Sequence, residues 1–238
     1  MKNINLYISG GGGAQDSLLL DKHFLNKIDK KKGVLYIPIA MEVDKIGFES
    51  CYDWIIETLS NISEGFIDVT MWTDLYSKTW DDIKDFGAIY IGGGNTFKLL
   101  NYLLKTGFAQ LLKKFITNGG VVYGGSAGAI IMGRSINTVI EENDKNYTES
   151  RGLDLFFGHS IICHYNNEID NKIINYIQTD NNKVIALPEK TGLHLVNSEI
   201  LVIGYEPAYY FNLKGEIKIL RVNIKYYYDE EKKEICNL

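Results

Sequence analysis

The chain has 238 residues, 45% hydrophobic and 23% charged, globular proportions in a length able to bury roughly 70% of its unfolded surface, which excludes disorder, collagen and coiled coil. Its 25 lysines and arginines against 30 aspartates and glutamates leave a net charge of −5 with no long run of either sign, so no nucleic-acid partner is expected. Cys51, Cys163 and Cys236 form no CxxC pair, which points to a reducing compartment and against a cysteine zinc site.

The N-terminal residues are broken by Asn3 and Asn5 and reach Gly10 before a signal-peptide core can form. No apolar run approaches the ~20 residues of a membrane span. A cytoplasmic chain without membrane contact is expected, as one domain over 1–238, because no low-complexity linker or internal repeat divides it.

Short apolar, β-branched strands are predicted at 4–8, 34–39, 66–72, 88–91 and 121–123, alternating with longer helical patterns, the signature of a parallel sheet covered by helices. Over 96–117 apolar residues from Leu100 to Ile116 recur at helical spacing, interrupted around Gly107 and stopped by Asn118-Gly119-Gly120. Strands this apolar are covered on both faces, so a ligand is expected at their carboxyl ends, where three glycine-rich loops fall. Beyond about residue 180 short strands follow at 184–187, 193–196, 200–203, 209–213 and 217–222 without long helices between them. These extend the same sheet antiparallel or form a small β layer packed on it.

The first loop, Gly10-Gly11-Gly12-Gly13, fails the GxGxxG dinucleotide spacing because Gln15 and Asp16 hold the required final positions. The stretch 128–135, GAIIMGRS, misses the phosphate-binding GxxxxGK[ST] because Arg134 replaces the lysine, and it is read as a buried helix. No cofactor and no metal are expected. The strong signal is Val121-Val122-Tyr123-Gly124-Gly125-Ser126-Ala127-Gly128-Ala129, a buried strand that enters G-x-S-x-G and then an apolar helix at 129–132. This is the context of a nucleophile elbow, in which glycines on either side permit the strained turn that lifts the serine Oγ out of the corner. The helix N-terminus favours developing negative charge there.

A serine nucleophile needs an oxyanion hole. The Ala127 N–H supplies one donor, and Gly93 and Gly94, in the loop Ile91-Gly92-Gly93-Gly94-Asn95-Thr96, are candidates for the second. Asn95 and Thr96 are candidates for substrate contact as well as for capping the next helix. The general base is one of four histidines. His23 lies in an early amphipathic helix, His194 within an alternating strand, and His159 at the start of the strand that precedes His164. His164 follows Ser160-Ile161-Ile162-Cys163 and opens into Tyr165-Asn166-Asn167, a strand end from which a base can project. For the carboxylate that orients the imidazole, Glu189 sits at the equivalent strand end, with Glu141, Glu142 and Asp144 as competitors.

The combination GGGNT, GGSAGA, a histidine followed by an aromatic residue, and LPE resembles the peptidase E (aspartyl dipeptidase) family, which includes cyanophycinases, from the first strand to about residue 205. The resemblance implies a flavodoxin-like α/β fold with a mostly parallel sheet, helices on both faces and a C-terminal β extension, related to class I glutamine amidotransferase domains. It implies a serine peptidase triad in the order Ser126, His164, Glu189, an oxyanion hole from the Gly93 and Ala127 amides, and a short peptide substrate. Members that prefer an N-terminal aspartate carry, after the catalytic histidine, a longer loop with an arginine that pairs with the substrate carboxylate. Between His164 and Glu189 this chain has no arginine, only Lys172 and Lys183, so aspartyl specificity does not carry over and Lys172 is the candidate replacement. An esterase or amidase on the same triad and a catalytically silent ligand-binding protein are the alternatives. A monomer or homodimer is expected.

Overall fold

The structure, a computed structural model, describes residues 4–41, 46–63, 65–139, 143 and 146–238. Strands β1 (Asn5–Ser9), β2 (Val34–Ile37), β3 (Val69–Met71), β4 (Ala88–Ile91) and β5 (Val121–Gly125) are linked through helices α1 (Ala14–Leu25), α2 (Phe48–Ser60), α3 (Trp80–Ile83), α4 (Thr96–Lys105) and α5 (Phe108–Thr117). They pair in parallel in the order β1-β5-β4-β2-β3. Counted from β2, the run β3-β2-β4-β5 has the 2-1-3-4 order of a flavodoxin-like sheet, with the N-terminal strand β1 in the fifth place.

Residue parity sorts these strands between two cores, because successive side chains leave a strand on opposite faces. Leu6, Ile8, Leu35, Ile89, Ile91 and Val122 pack with α4 and α5 residues such as Leu99, Leu103, Leu112 and Phe115. Tyr7, Tyr36, Tyr90 and Tyr123 pack on the other face with Leu20, Phe24, Ile55 and Leu59 of α1 and α2. Both faces being covered, the strands read as continuous apolar runs.

After β5 and the short helix α6 (Ala127–Ile130), the chain builds a second sheet from β6 (Ser160–Ile162) and β7 (Val184–Ala186). These two pair in parallel through helix α7 (Asp170–Asp180), and β10 (Ala208–Phe211) and β11 (Ile217–Leu220) extend them antiparallel. One face of this sheet joins the core under α4 and α5, through Ile161, Ile185 and Tyr210. The other packs against Ile173 and Ile177 of α7. Strands β8 (Thr191–Val196), β9 (Glu199–Gly204), β12 (Lys225–Asp229) and β13 (Glu234–Asn237) return to the first sheet as an antiparallel extension beside β1, giving the order β13-β12-β9-β8-β1-β5-β4-β2-β3. The late strands therefore take both expected routes. The nine-stranded sheet is mixed, parallel on one side of β1 and antiparallel on the other.

Several boundaries differ from the sequence expectation for local reasons. Strand β2 stops at Ile37 because Pro38 has no N–H to continue the ladder. Strand β3 begins only at Val69, and Phe66 is 88% exposed. The predicted helix over 96–117 is two helices, since Gly107 takes a left-handed conformation at φ 74°. The stretch GAIIMGRS is buried through Gly133 but helical only to Ile130. Leu153, Leu155 and Gly152 donate to the carbonyls of Ile131, Met132 and Arg134, and so draw that backbone out of the helix. Strands β12 and β13 have no counterpart in the expectation. Their Tyr226-Tyr227-Tyr228 run is flanked by charges and lacks an alternating apolar face.

Candidate active site

The parallel register sets the strand ends level: Gly125 of β5 pairs with Ser9 of β1, and Gly124 pairs with Ile91 of β4. The loops that follow, Gly10-Gly11-Gly12-Gly13, Gly92-Gly93-Gly94-Asn95 and the turn at Ser126, therefore meet along one edge. Ser126 has φ 48° and ψ −109°, a conformation rarely taken by a residue with a side chain. The surrounding glycines make the turn compact: a β-carbon on Gly128 would overlap the Ile91 carbonyl.

His164 arrives from the second sheet, two residues past β6, also at positive φ (54°). Its N–H donates to the Gly10 carbonyl at 2.9 Å. The Ser126 hydroxyl and His164 Nε2 are 2.9 Å apart, and His164 Nδ1 and Glu189 Oε1 are also 2.9 Å apart. Glu189 follows β7, whose parallel pairing with β6 (Ile162 opposite Ala186) sets the two loops side by side. A carboxylate only accepts hydrogen bonds, so Nδ1 carries a proton and donates it, and Nε2 is left as the acceptor for the Ser126 O–H. The arrangement is able to draw a proton from the serine. His164 and Glu189 side chains are 44% and 54% exposed, so their hydrogen bond is open to solvent and acts by orienting the imidazole more than by stabilising the fold.

Gly93 lies against the serine, a β-carbon there standing 3.1 Å from Ser126 Cβ. The amides of Gly93 and Gly94 donate to no acceptor among the described residues, and the Ala127 amide opens the first turn of α6. A cavity of about 330 Å³ lies over this edge, lined by Ser9, Ser17, Trp54, Tyr90, Ser126 and His164 together with glycines of the three loops. No lysine, arginine, aspartate or glutamate lines it among the described residues. Among them, too, no group of three or more His, Cys, Asp or Glu side chains is placed to hold a metal ion.

Other expected participants lie elsewhere. Asn95 caps α4, its side chain accepting from the Lys98 amide at 2.8 Å, and Thr96 is fully buried beside it; neither lines the cavity. Lys172, on α7, faces a different cavity with Asn137 and Thr138, so it is not brought to the serine. His159 is buried with Nδ1 donating to the Phe156 carbonyl at 3.0 Å, and it lines a separate cavity of about 490 Å³ with Arg134 and Lys183. His194 donates from Nε2 to Asn5 Oδ1 at 2.9 Å and stacks on Tyr7. His23 Nδ1 lies 3.1 Å from the Tyr7 hydroxyl. Desolvation lowers the pKa of all three, to about 4 for His159 and about 3 for His194. The competing acids Glu141, Glu142 and Asp144 lie outside the described residues.

Sequence reasoning passed over the first glycine loop once it failed the dinucleotide spacing. Gly11 in fact lies directly against the His164 ring, where a β-carbon would overlap Cε1. Its position at the carboxyl end of a strand next to β5 was the available signal. For Ser17 and Trp54, on helices, there was none.

The family model described as peptidase family S51 matches residues 6–203. The chain belongs to this family of serine peptidases. Peptidase E of Haemophilus influenzae (strain PittGG) is 26% identical over 210 residues, covering 83% of this chain and 86% of that protein. Peptidase E of Pasteurella multocida (strain Pm70) is 31% identical over 153 residues, 59% of this chain and 64% of that one. The S51 fold is also seen in a Listeria monocytogenes EGD-e protein assigned to peptidase E (TM-score 0.65, 24% identity, 85% of this chain and 99% of that one). A peptidase from an acI-B1 actinobacterium superposes with TM-score 0.66 at 18% identity over 95% of this chain and 98% of its own.

Proposed function

We propose that this S51 peptidase hydrolyses short peptides by acyl transfer at Ser126. Ser126 Oγ attacks the peptide carbonyl, His164 Nε2 takes its proton and returns it to the leaving amine, and Glu189 holds the imidazole and stabilises its cation. The amides of Ala127 and of Gly93 or Gly94 receive the oxyanion. Water then attacks the acyl-enzyme with His164 as base. The observation that carries this reading is the unbroken hydrogen-bonded series Ser126–His164–Glu189 with the strained serine at its head.

A fluorophosphonate, which phosphonylates an activated serine, is expected to label wild-type protein at Ser126 and to leave Ser126→Ala unlabelled. Hydrolysis by Ser126→Ala and His164→Ala is expected to fall by roughly 10⁴-fold, and Glu189→Gln to retain a reduced, measurable rate. More than about a tenth of wild-type turnover in folded Ser126→Ala rules the nucleophile out. On the acyl side, an aspartate carboxylate finds no described cation lining the cavity, so Asp-Leu is expected to be cleaved no better than Ala-Leu. A preference for Asp-Leu of about a hundredfold overturns that specificity.

A further inference from the structure

The two strands that deliver His164 and Glu189 carry a second cavity at their other ends. His159 and Lys183 come immediately before β6 and β7, whereas His164 and Glu189 follow the same strands. At about 3.3 Å per residue, the stretch from His159 to His164 sets the two ends roughly 15 Å apart. The cavity, of about 490 Å³, is lined by Arg134, Lys183, Lys214, Lys232 and Lys233 against one carboxylate among the described residues, Glu234. In a chain of net charge −5, such a concentration of positive charge runs against the composition. Glu234 is already engaged: its Oε1 accepts from Lys183 Nζ at 3.1 Å and its Oε2 from the Tyr210 hydroxyl at 2.6 Å. Lys232 pairs with Asp229 at 3.5 Å. The Arg134 guanidinium and the Lys214 and Lys233 ammonium groups form no ion pair with a described residue.

We propose that this cavity binds a small, multiply charged oxyanion, a compact group of several phosphate or carboxylate oxygens, at a site separate from the peptidase centre. Three uncompensated cations around one concavity repel each other. An anion with several oxygens relieves that repulsion at once, taking the planar fork of Arg134 together with the point charges of two lysines. The walls are shaped in advance. Phe157, Asn181 and Lys233, which all line the cavity, are held at positive φ (54°, 47° and 53°), a conformation that persists only where the surrounding structure enforces it. Lys183 Nζ also donates to the Lys233 carbonyl, tying the turn between β12 and β13 to the start of β7. On the buried side stands His159, whose Nε2 finds no hydrogen-bond partner within the protein, an unmet polar demand next to the cations. The inference does not depend on the hydrolase reading of Ser126.

Phosphate chains and polycarboxylates share this chemistry, and calorimetric titration of the full chain with tripolyphosphate and with citrate separates them. Saturable one-to-one binding with Kd below about 1 mM is expected for at least one of the two, weakening as salt is raised because the cations are partly open to solvent. The tighter of the two names the source. Arg134 and Lys214 are exposed, so their alanine variants are expected to fold, as circular dichroism checks. Arg134→Ala and Lys214→Ala are each expected to raise Kd about tenfold, and the double variant about a hundredfold. The run Lys30-Lys31-Lys32, which precedes β2 and lines no part of the cavity, supplies the control: replacing all three by alanine is expected to leave Kd within about twofold. In wild type, side-chain nitrogen NMR places the anion without any variant, since of the four histidines His159 alone lines this cavity and its resonances are expected to shift while those of His164 do not. No saturable binding of either anion, equal weakening in the Lys30-Lys31-Lys32 control, or shifts at His164 in place of His159 overturns the proposal.

Discussion

Ser126 and His164, hydrogen-bonded to each other, both sit at positive φ, 48° and 54°. Non-glycine residues occupy such regions at a cost of about 1–3 kcal/mol each, held there by their surroundings. At Ser126 the strain comes from the backbone and not the hydroxyl, so alanine keeps it and glycine relieves it. Urea unfolding is expected to find Ser126→Gly more stable than Ser126→Ala by about 1 kcal/mol, both being inactive. Equal stabilities, or a more stable alanine variant, remove the strain from the account. Gly11 presents the complementary case. Any side chain there displaces the His164 imidazole, and an ångström of misplacement in a reacting group is worth about a hundredfold in rate. Gly11→Ala is expected to lose about that much kcat and, because Gly11 sits at φ 115°, to lower Tm as well; wild-type kcat in this variant shows that the ring is free to move.

At the scale of elements, the site is where three strand ends from two sheets meet. Ser126 follows β5 of the first sheet, while His164 and Glu189 follow β6 and β7 of the second. Gly10 ties the two together, accepting from the His164 amide and donating to the Thr191 carbonyl at the start of β8. Helix α6 is only four residues long, so the proposed oxyanion hole relies on individual amides and not on a helix dipole. Helix α6 comes closest to β4 at Gly128, where a β-carbon would overlap the Ile91 carbonyl. Gly128→Ala must push the helix off the strand. It is expected to cost about 2 kcal/mol in denaturant unfolding and to reduce turnover at the same time. A stability loss with turnover unchanged separates the α6–β4 contact from the proposed oxyanion hole.

Across the whole molecule, three buried groups couple stability to pH in opposite directions. His159 and His194 stay neutral in the fold down to about pH 4 and 3, whereas unfolded histidines bind protons near pH 6.5. Their contribution is complete above pH 6.5 and is lost as pH falls. Asp21 does the reverse, with a folded pKa of about 6 against an unfolded value of 3.8, so its contribution is complete below pH 4 and is lost as pH rises through 6. Within the window between pH 6 and 4 the unfolded chain holds two protons on these groups against one in the fold. These groups therefore predict a fall of about 1.4 kcal/mol per pH unit in that window, doubling in Asp21→Asn. His23, shifted in the same direction as the other histidines, adds to the loss. Unfolding free energies at pH 7, 6, 5 and 4 check this. Equal slopes in wild type and Asp21→Asn mean that Asp21 stays ionised across this window and that its pKa is not raised in the fold.

The alternation of strands and helices, the three glycine loops and the serine in G-x-S-x-G were legible in the sequence because each depends on residues close together in the chain. Periodicity reports which faces are buried, and glycine spacing reports where the backbone turns sharply. The strand end after Cys163 marked His164 in the same local way. Glu189 was different: its local context is that of any loop acid, and only the motif resemblance separated it from Glu141, Glu142 and Asp144. Segments 193–196 and 200–203 joined the first sheet, whereas 184–187, 209–213 and 217–222 joined the second. Nothing local distinguishes these two fates, because each is a short apolar strand and its neighbours are chosen by long-range packing. Asp21 and Ser17 read as polar positions on an ordinary amphipathic helix. That they are buried, joined by a hydrogen bond and set behind the serine's cavity follows from how α1 lies on β1, β8 and β9, a contact between segments almost two hundred residues apart that only the tertiary structure decides.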